Sequence, residues 1–403
     1  MRQYSGMSAL CADPARGAVD PSTLQIGLEW FPDGIGGGCS RFFSALTDQL
    51  KADGVAVHGI VAGRSSMTAR RCGGIRIVSA HDAPVRERMR KARAAAREIL
   101  ATEHVDIVAS HFALLTFACL DLVKHLPMIV HFHGPWAAES RVEGGSALAS
   151  LSKFLVERAV YARARKAIVL TRAFRDVLHR SYGVPETDIA VIPGGVDIER
   201  YNASRSKADA RLVLGLPPDR PIVLAVRRLA RRMGIEHLIA AFAEVRRENA
   251  DALLVIVGGG HLFPILERQV HEYGLSRNVL FTGRVPEDDL SCYYRAADVS
   301  VVPSLALEGF GLVVAESLAC GTPALVTPVG GLPEVVAGLS EALILDDSSA
   351  RALADGLRGV LSGRRALPSE DDCTAYARTH FSWPTIAKQV KSVYGDVLCA
   401  SPC

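Results

Sequence analysis

What the chain lacks narrows its class before any motif is read. It has 403 residues and nine cysteines: Cys11, Cys39, Cys72, Cys119, Cys292, Cys320, Cys373, Cys399 and Cys403. None forms a C-x-x-C pair and the number is odd, which argues against zinc and against a disulfide framework. Reduced thiols in a cytosolic protein are expected. The formal net charge is only +3. That is too little to argue for nucleic acid, and no aromatic-plus-basic stretch of the RNA-reading kind accompanies it. No run approaches the roughly 20 apolar residues of a membrane-spanning helix, so any membrane contact should be peripheral. Residues 1–23 hold no long apolar core, so they read as a disordered leader and not as a secretory signal. Internal repeats and low-complexity tracts are missing too. So is the P-loop G-x-x-x-x-G-K-[ST].

What is present is an ordinary globular composition with ample apolar material, long enough for two or three domains. Short β-branched runs alternate with helical patterns. The runs are Gln25–Leu28, Val55–Val61, Ile75–Val78, Ile107–Ser110, Met128–Phe132, Ala167–Leu170 and Ala190–Ile192. After them come Ile222–Val226, Leu253–Val257, Val279–Phe281, Val299–Val302, Ala324–Val326 and Ala342–Ile344. Strands separated by helical patterns imply βαβ units, and wholly apolar strands imply parallel sheets covered on both faces. So many strands exceed one ordinary sheet. The polar, Gly-, Pro- and Asp-rich stretch at residues 194–219 is the expected break. The expected architecture is therefore α/β, with two Rossmann-like domains facing across a cleft at the carboxyl ends of their strands. Residues 24–195 form the first domain and 196–380 the second. Residues 381–403 form a helix, restarted at Trp383-Pro384, that returns to the first domain.

Three glycine loops stand where a strand gives way to a helix: Gly34–Gly38, Gly258–Gly260 and Gly309–Gly311. Glycine there lets a phosphate approach the free N–H groups of a helix start. It is also what any βα turn favours. The first loop reads G-I-G-G-G-C, with Cys39 in the third glycine place, so it is no dinucleotide fingerprint. Glu308 and Glu316 bracket the last loop in EGFGLVVAE. A carboxylate among Val314, Ala315 and Leu318 is costly unless it accepts good hydrogen bonds. A sugar diol offers paired O–H donors that match its two oxygens. The plainer reading is one acid at a helix N-terminus and one buried structural acid.

The block EGFGLVVAESLACGTPALVTPVGGLPEVV resembles the E-x7-E signature of family 4 glycosyltransferases, retaining enzymes of the GT-B fold. EWFPDGIGGGCSRFFSALTDQL, VIPGGVDIERY, VRRLARRMGIEHLIAAF, VLFTGRVPEDDLSCYYRAADVSVVPS and FSWPTIAKQVKSVY follow the family's order, so the likeness spans residues 24–398. The resemblance implies a nucleoside-diphosphate sugar, UDP- or GDP-linked, as donor substrate with no further cofactor. It implies that Glu316 bonds the donor ribose and that Glu308 contacts the transferred sugar. Gly309, Phe310, Gly311 and Leu312 should hold sugar and diphosphate. Arg228 should neutralise the leaving diphosphate, where charge develops in the transition state. Arg284 and Val285, with Gly258 nearby, should lie at the base, and Gly36 and Gly37 should close over the diphosphate. His133 should stand near the reacting sugar, with His131 on the same side of the strand, and Trp136 and Glu139 should line the acceptor side. No general base is identifiable; in such enzymes the leaving phosphate takes the acceptor's proton.

Two positions depart from the pattern. Met233 stands where the family usually has lysine, so Arg232 becomes the candidate replacement cation. Gly194 stands in place of an asparagine. No D-x-D metal motif occupies a likely site position by sequence: Asp288-Asp289 and Asp346-Asp347 read as loop acids and helix starts, and metal independence is expected. The basic stretch Arg86–Arg97 reads either as a solvated helix or as a face for anionic lipid. The acceptor implied is a glycan or lipid-linked saccharide of bacterial surface polysaccharide or glycoconjugate synthesis, met in the cytoplasm or at the inner face of the membrane. Two other functions stay open. One is a sugar-nucleotide epimerase of the same fold. The other, motivated by Met233, is a non-catalytic protein that binds nucleotide sugar or glycan.

Overall fold

The computed structural model describes residues 20–31, 37–64, 71–201 and 205–400, with the side chains of residues 71 and 72 excepted. Two sheets carry the fold. The first contains β1 (Ser22–Glu29), β2 (Ala56–Gly63), β3 (Arg71–Cys72), β4 (Ile75–Ala80), β5 (Ile107–Ser110), β6 (Met128–Phe132), β7 (Lys166–Val169) and β8 (Ile189–Val191). Its order is β3-β4-β2-β1-β5-β6-β7-β8, parallel except for the β3–β4 pair. The second contains β9 (Ile222–Val226), β10 (Leu253–Val257), β11 (Val279–Gly283), β12 (Val299–Val302) and β13 (Ala324–Val326). It is wholly parallel in the order β11-β10-β9-β12-β13.

Helices cover both sheets. On the first lie α1 (Gly38–Ala52), α2 (Val85–Thr102), α3 (Ala113–Phe117), α4 (Trp136–Val142), α5 (Ala147–Tyr161) and α6 (Arg172–Tyr182). After the short α7 (Ile198–Tyr201), the second carries α8 (Lys207–Val213), α9 (Ile235–Val245), α10 (Phe263–Glu272), α11 (Glu287–Ala296), α12 (Leu312–Ala319), α13 (Leu332–Val336), α14 (Ala350–Leu361) and α15 (Glu370–Phe381). The last, α16 (Trp383–Cys399), crosses back to pack on α1 and β7. Its Tyr394 is fully buried beside His131, and its Lys391 pairs with Asp20 at 2.5 Å. The chain thus crosses between sheets twice, and the crossings touch. Val196 N–H donates to Phe381 O at 2.7 Å, and Trp383 packs where a Cβ on Gly195 would sit.

Buried Leu24, Ile26, Ile60, Val108 and Val130 fill one face of the first sheet, and Val223, Ala225, Leu254, Ile256, Val299 and Val301 one face of the second. Buried Ile107, Ala109 and Ile129 of the first sheet and Leu224, Leu253 and Val255 of the second fill the opposite faces, so the apolar strands face protein on both sides, as parallel sheets require. One expected strand is absent. Residues Glu341–Leu343 form a 3-10 turn, and only Ile344 bridges to Val326. The Ser340 hydroxyl accepts from Ala342 N–H at 3.2 Å, a local bond that competes with a ladder. Among the described residues no helix is long and apolar enough to cross a membrane.

Each sheet reverses its direction of growth beside its first strand: between β1 and β5 in one, between β9 and β12 in the other. The carboxyl ends of strands at such switch points form a crevice. Here the two crevices face each other. A Cβ on Gly38, at the start of α1, would lie 3.7 Å from the Leu312 side chain at the start of α12.

Candidate functional site across the cleft

Arg227 leaves the carboxyl end of β9, and Ser304 and Glu308 follow β12. Glu308 Oε2 accepts from Arg227 Nη2 at 2.5 Å and from Ser304 Oγ at 3.0 Å. The side chains are 6% and 13% exposed, so this is a buried, charge-assisted pair. Burial pushes the Glu308 carboxyl up, but Arg227 outweighs it and holds the group below the usual range. Arg227 is packed from behind by Gly258: at φ 137°, a Cβ there would meet Arg227 O at 2.0 Å. Leu307, just before Glu308, holds φ 53°, a conformation that costs a non-glycine residue about 1–3 kcal/mol. It is pinned on both sides. Arg232 Nη1 donates to Leu307 O at 3.0 Å, and Gly331 N–H donates to Glu308 O at 2.9 Å.

Gly309 to Leu312 lead into α12. Gly311 caps the helix at φ 76°, and Phe310 is buried against Phe381. A Cβ on Gly309 would strike the Phe174 ring at 2.6 Å, so only glycine lets this loop close on the first domain. Glu316 lies one turn further on and is 3% exposed. Its Oε2 accepts from Tyr294 OH at 2.9 Å and its Oε1 from Arg41 Nη2 at 2.6 Å. The same Nη2 lies 2.6 Å from Glu287 Oε1 and 2.6 Å from Tyr201 OH. Burial raises the Glu316 carboxyl above its ordinary range, and Arg41 opposes that only in part.

His133 follows β6 at the facing end of the first sheet. Its ring stacks with those of His111 and His131, the last two at a centroid separation of 4.1 Å. The tautomers form a fixed chain. Gln25 Nε2 donates to Thr23 Oγ1 and Tyr394 OH, at 3.1 and 3.3 Å, so its Oε1 accepts from His111 Nε2–H at 2.9 Å. His111 Nδ1 must then accept from His133 Nε2–H at 3.1 Å, leaving His133 Nδ1 with its lone pair. Burial lowers the pKa of all three, that of His133 to about 4. The His131 side chain points into the core and bonds Tyr394 OH at 2.8 Å.

The segment after His133 is held by Glu157, whose buried carboxylate accepts from Trp136 and Ala137 N–H at 2.7 and 3.1 Å and from Tyr182 OH at 2.9 Å. That fixes α4, from which Glu139 reaches Arg232 of the other domain at 3.2 Å, with Glu143 at 3.8 Å. Arg232 is buried, and Met233 beside it is a core residue. Arg232 therefore spends its charge on two carboxylates and the Leu307 carbonyl. Arg228, exposed, has no ion-pair partner among the described residues. Thr171 Oγ1 donates to Gly309 O at 2.8 Å, and Glu334 accepts from Arg172 and Ala173 N–H at 2.9 and 2.8 Å, capping α6 from across the cleft.

Gly37 caps α1 in extended backbone, with open space where a Cβ would be. Gly36 falls outside the described residues. Arg284 is exposed and its stem packs over Gly259, with Val285 half-buried beside it. Asp288 and Asp289 occupy the first turn of α11, and Asp347 accepts from Ser349 N–H at 2.6 Å ahead of α14. Sequence reading missed Arg41, Arg227, His111, Glu157 and Glu334. The signal for Arg41 was a cation one residue ahead of the apolar pair Phe42-Phe43. For Arg227 it was that two adjacent arginines, Arg227-Arg228, end the apolar strand Ile222–Val226.

Comparison with known proteins sets this geometry in context. A family profile described as glycosyltransferase family 4 matches residues 36–200, and one described as glycosyl transferases group 1 matches residues 206–380. The chain is similar to a D-inositol 3-phosphate glycosyltransferase of Nocardia farcinica, 33% identical over 305 residues, covering 73% of this chain and 67% of that one. It is also similar to a GDP-mannose-dependent alpha-(1-6)-phosphatidylinositol monomannoside mannosyltransferase of Mycobacterium tuberculosis, 32% identical over 216 residues, covering 51% of this chain and 55% of that one. Against the first three curated relatives it spans 59%, 57% and 55% of their length. Among solved structures it resembles a sucrose-phosphate synthase of Thermosynechococcus elongatus, with TM-score 0.80, 26% identity, and coverage of 94% of this chain and 100% of that one.

Proposed function

The chain belongs to glycosyltransferase family 4, with the GT-B fold, and from that premise we propose that it transfers a hexosyl group with retention. The donor is a UDP- or GDP-linked sugar. The acceptor is a glycan or lipid-linked saccharide, in bacterial surface polysaccharide or glycoconjugate synthesis. One observation carries the reading. Two carboxylates, the buried Glu316 and the largely buried Glu308, flank the free N–H groups of the α12 start, which faces the α1 start of the other domain.

In this reading Glu308, held ionised by Arg227, accepts hydroxyls of the transferred sugar. Glu316 takes the ribose. The N–H groups at Gly311–Leu312 and the uncommitted Arg228 receive the diphosphate as its negative charge grows. These cations and dipoles do the work for which other transferases bind a divalent ion, so activity is metal-independent. Arg284, Val285 and Gly258 border the base. His133 Nδ1, its lone pair fixed by His111, accepts from a sugar hydroxyl. Neither acid takes the acceptor's proton; the leaving phosphate accepts it. The relatives named for inositol 3-phosphate and for phosphatidylinositol mannoside favour a polyhydroxylated, anionic or lipid-linked acceptor.

A peripheral seat at the inner face of the membrane suits such an acceptor. Leu148, Leu151 and Leu155 form an exposed stripe on α5, and Arg86, Arg90 and Arg97 are exposed on α2, with α3 packed between. Co-sedimentation with vesicles containing anionic lipid tests this, and no difference from neutral vesicles would sink it. The function itself is tested with UDP- and GDP-sugars. The purified protein should release nucleotide with or without added EDTA, and product NMR should report the donor's anomeric configuration. A product of inverted configuration would overturn the reading, and so would a Glu308→Gln variant as active as the parent.

A further inference from the structure

Arg41 is a first-domain side chain set inside a second-domain cluster of acids. It projects from the first turn of α1, whose neighbouring Phe42, Phe43 and Leu46 anchor the helix in the first-domain core. Its Nη2 reaches Glu316 Oε1, Glu287 Oε1 and Tyr201 OH, each at 2.6 Å. The Arg41 side chain is 20% exposed and that of Glu316 only 4%. Among the described residues no other cation lies within ion-pair reach of Glu316.

That arrangement bears on what Glu316 can bind. A carboxylate offers about four lone-pair directions, and Arg41 and Tyr294 use two. An ionised Glu316 therefore accepts two more hydrogens, which is what a 2′,3′-diol supplies. A protonated Glu316 has a donor where one hydroxyl also needs to donate. Withdrawn from water and facing the charge of Glu287, the carboxyl is driven toward its neutral form. Burial keeps Tyr294 and Tyr201 neutral, and the Cys320 thiol just past the end of α12 is buried and protonated. The opposing charge comes from Arg41 alone.

We propose that Arg41 is a positioning residue for the donor's ribose: it crosses the cleft to hold Glu316 ionised and oriented, so ribose recognition by the second domain requires the first domain to be closed on it. This rests on the reading of Glu316 as the ribose acceptor. Binding of the diol and closure of the cleft then become a single event, and a nucleotide without the diol loses the benefit of both.

Isothermal titration calorimetry with UDP and GDP and their 2′,3′-dideoxy analogues tests it, using the parent, Arg41→Met and Arg41→Lys. The parent should prefer the ribonucleotide it binds by about tenfold or more, the scale of hydrogen bonds to a charged group. In Arg41→Met that preference should shrink to within about twofold, the limit of additivity for independent sites. Arg41→Lys should recover part of it. The preference that Arg41→Lys retains should also vanish at a higher pH than in the parent, because its carboxylate is less firmly held ionised. A parent that does not discriminate removes the ribose role of Glu316, and this proposal with it. A discriminating parent with an equally discriminating Arg41→Met overturns the proposal and leaves the ribose role standing. A variant that melts earlier but weakens both nucleotides equally makes Arg41 a structural brace, which also overturns it.

Discussion

The two acids of EGFGLVVAE sit eight positions apart and are secured in opposite ways. Glu308 is held within its own domain, by the charge of Arg227 from the neighbouring strand and a hydrogen bond from Ser304. Glu316 is paired with Arg41, from the other domain. The first pair lies wholly within one domain; the second spans the two. Electrostatics follow: Glu308 is held below its ordinary range and Glu316 above it. The lesson is that a short motif can carry one acid held by its own domain and one held by the other. The loop before Glu308 is strained at Leu307 and pinned by Arg232, which suits a group whose position is fixed in advance.

The comparison breaks most visibly at Arg227. Arg227→Ala leaves a buried carboxylate without its cation and should cost about 3–5 kcal/mol in urea unfolding. A loss under 1 kcal/mol, the scale of a surface pair, would mean that Glu308 is not held as described. Its neighbour Arg228 should behave in the opposite way. Exposed and without an ion-pair partner among the described residues, it should leave stability within about 0.5 kcal/mol when changed to alanine. Transfer should nevertheless fall about 100-fold in kcat, as when one donor to a developing charge is lost. Equal effects from both substitutions would erase the division of labour between them.

The pH dependence of donor binding separates the acids more finely. Glu316 takes its proton above the ordinary 4.5 and Glu308 below it. On acidification, affinity should therefore be lost first through Glu316. Glu316→Gln should remove that limb and Glu308→Gln should leave it. In stability the signs oppose each other. The depressed Glu308 stabilises the fold above its unfolded pKa, and that contribution is lost as pH falls. The raised Glu316 favours a neutral carboxyl, so its contribution is present at low pH and lost as pH rises through its folded value. The smallest effect is expected at the interdomain cap. Glu334→Ala frees the Arg172 and Ala173 N–H groups and should cost about 1 kcal/mol, read as a lowered melting temperature.

Much of this molecule is local information. Ile107–Ser110, Met128–Phe132, Ile222–Val226, Leu253–Val257, Val299–Val302 and Ala324–Val326 are strands over the residues expected, because continuous apolar runs bounded by turns leave few choices. The same holds for the helix restart at Trp383 and for the two acids bracketing a glycine turn. Ala342–Ile344 failed because three apolar residues cannot outweigh a serine that closes a turn on itself.

What the tertiary structure alone decided is which side chains meet. In Arg227-Arg228, adjacent residues at a strand end take different surroundings, so identical chemistry goes once to the acid Glu308 and once to an exposed position. Arg232 is a candidate cation in the sequence, but the approach of α4 commits it to Glu139 and Glu143. Arg41 is an unremarked helix residue until closure sets it against Glu316. The sequence by itself determined the elements, the two sheets and the residue types at the cleft, because those depend on spacing and hydrophobic pattern. The pairing of charges across the cleft depends on strand register and on how one domain lies against the other, which no local pattern encodes.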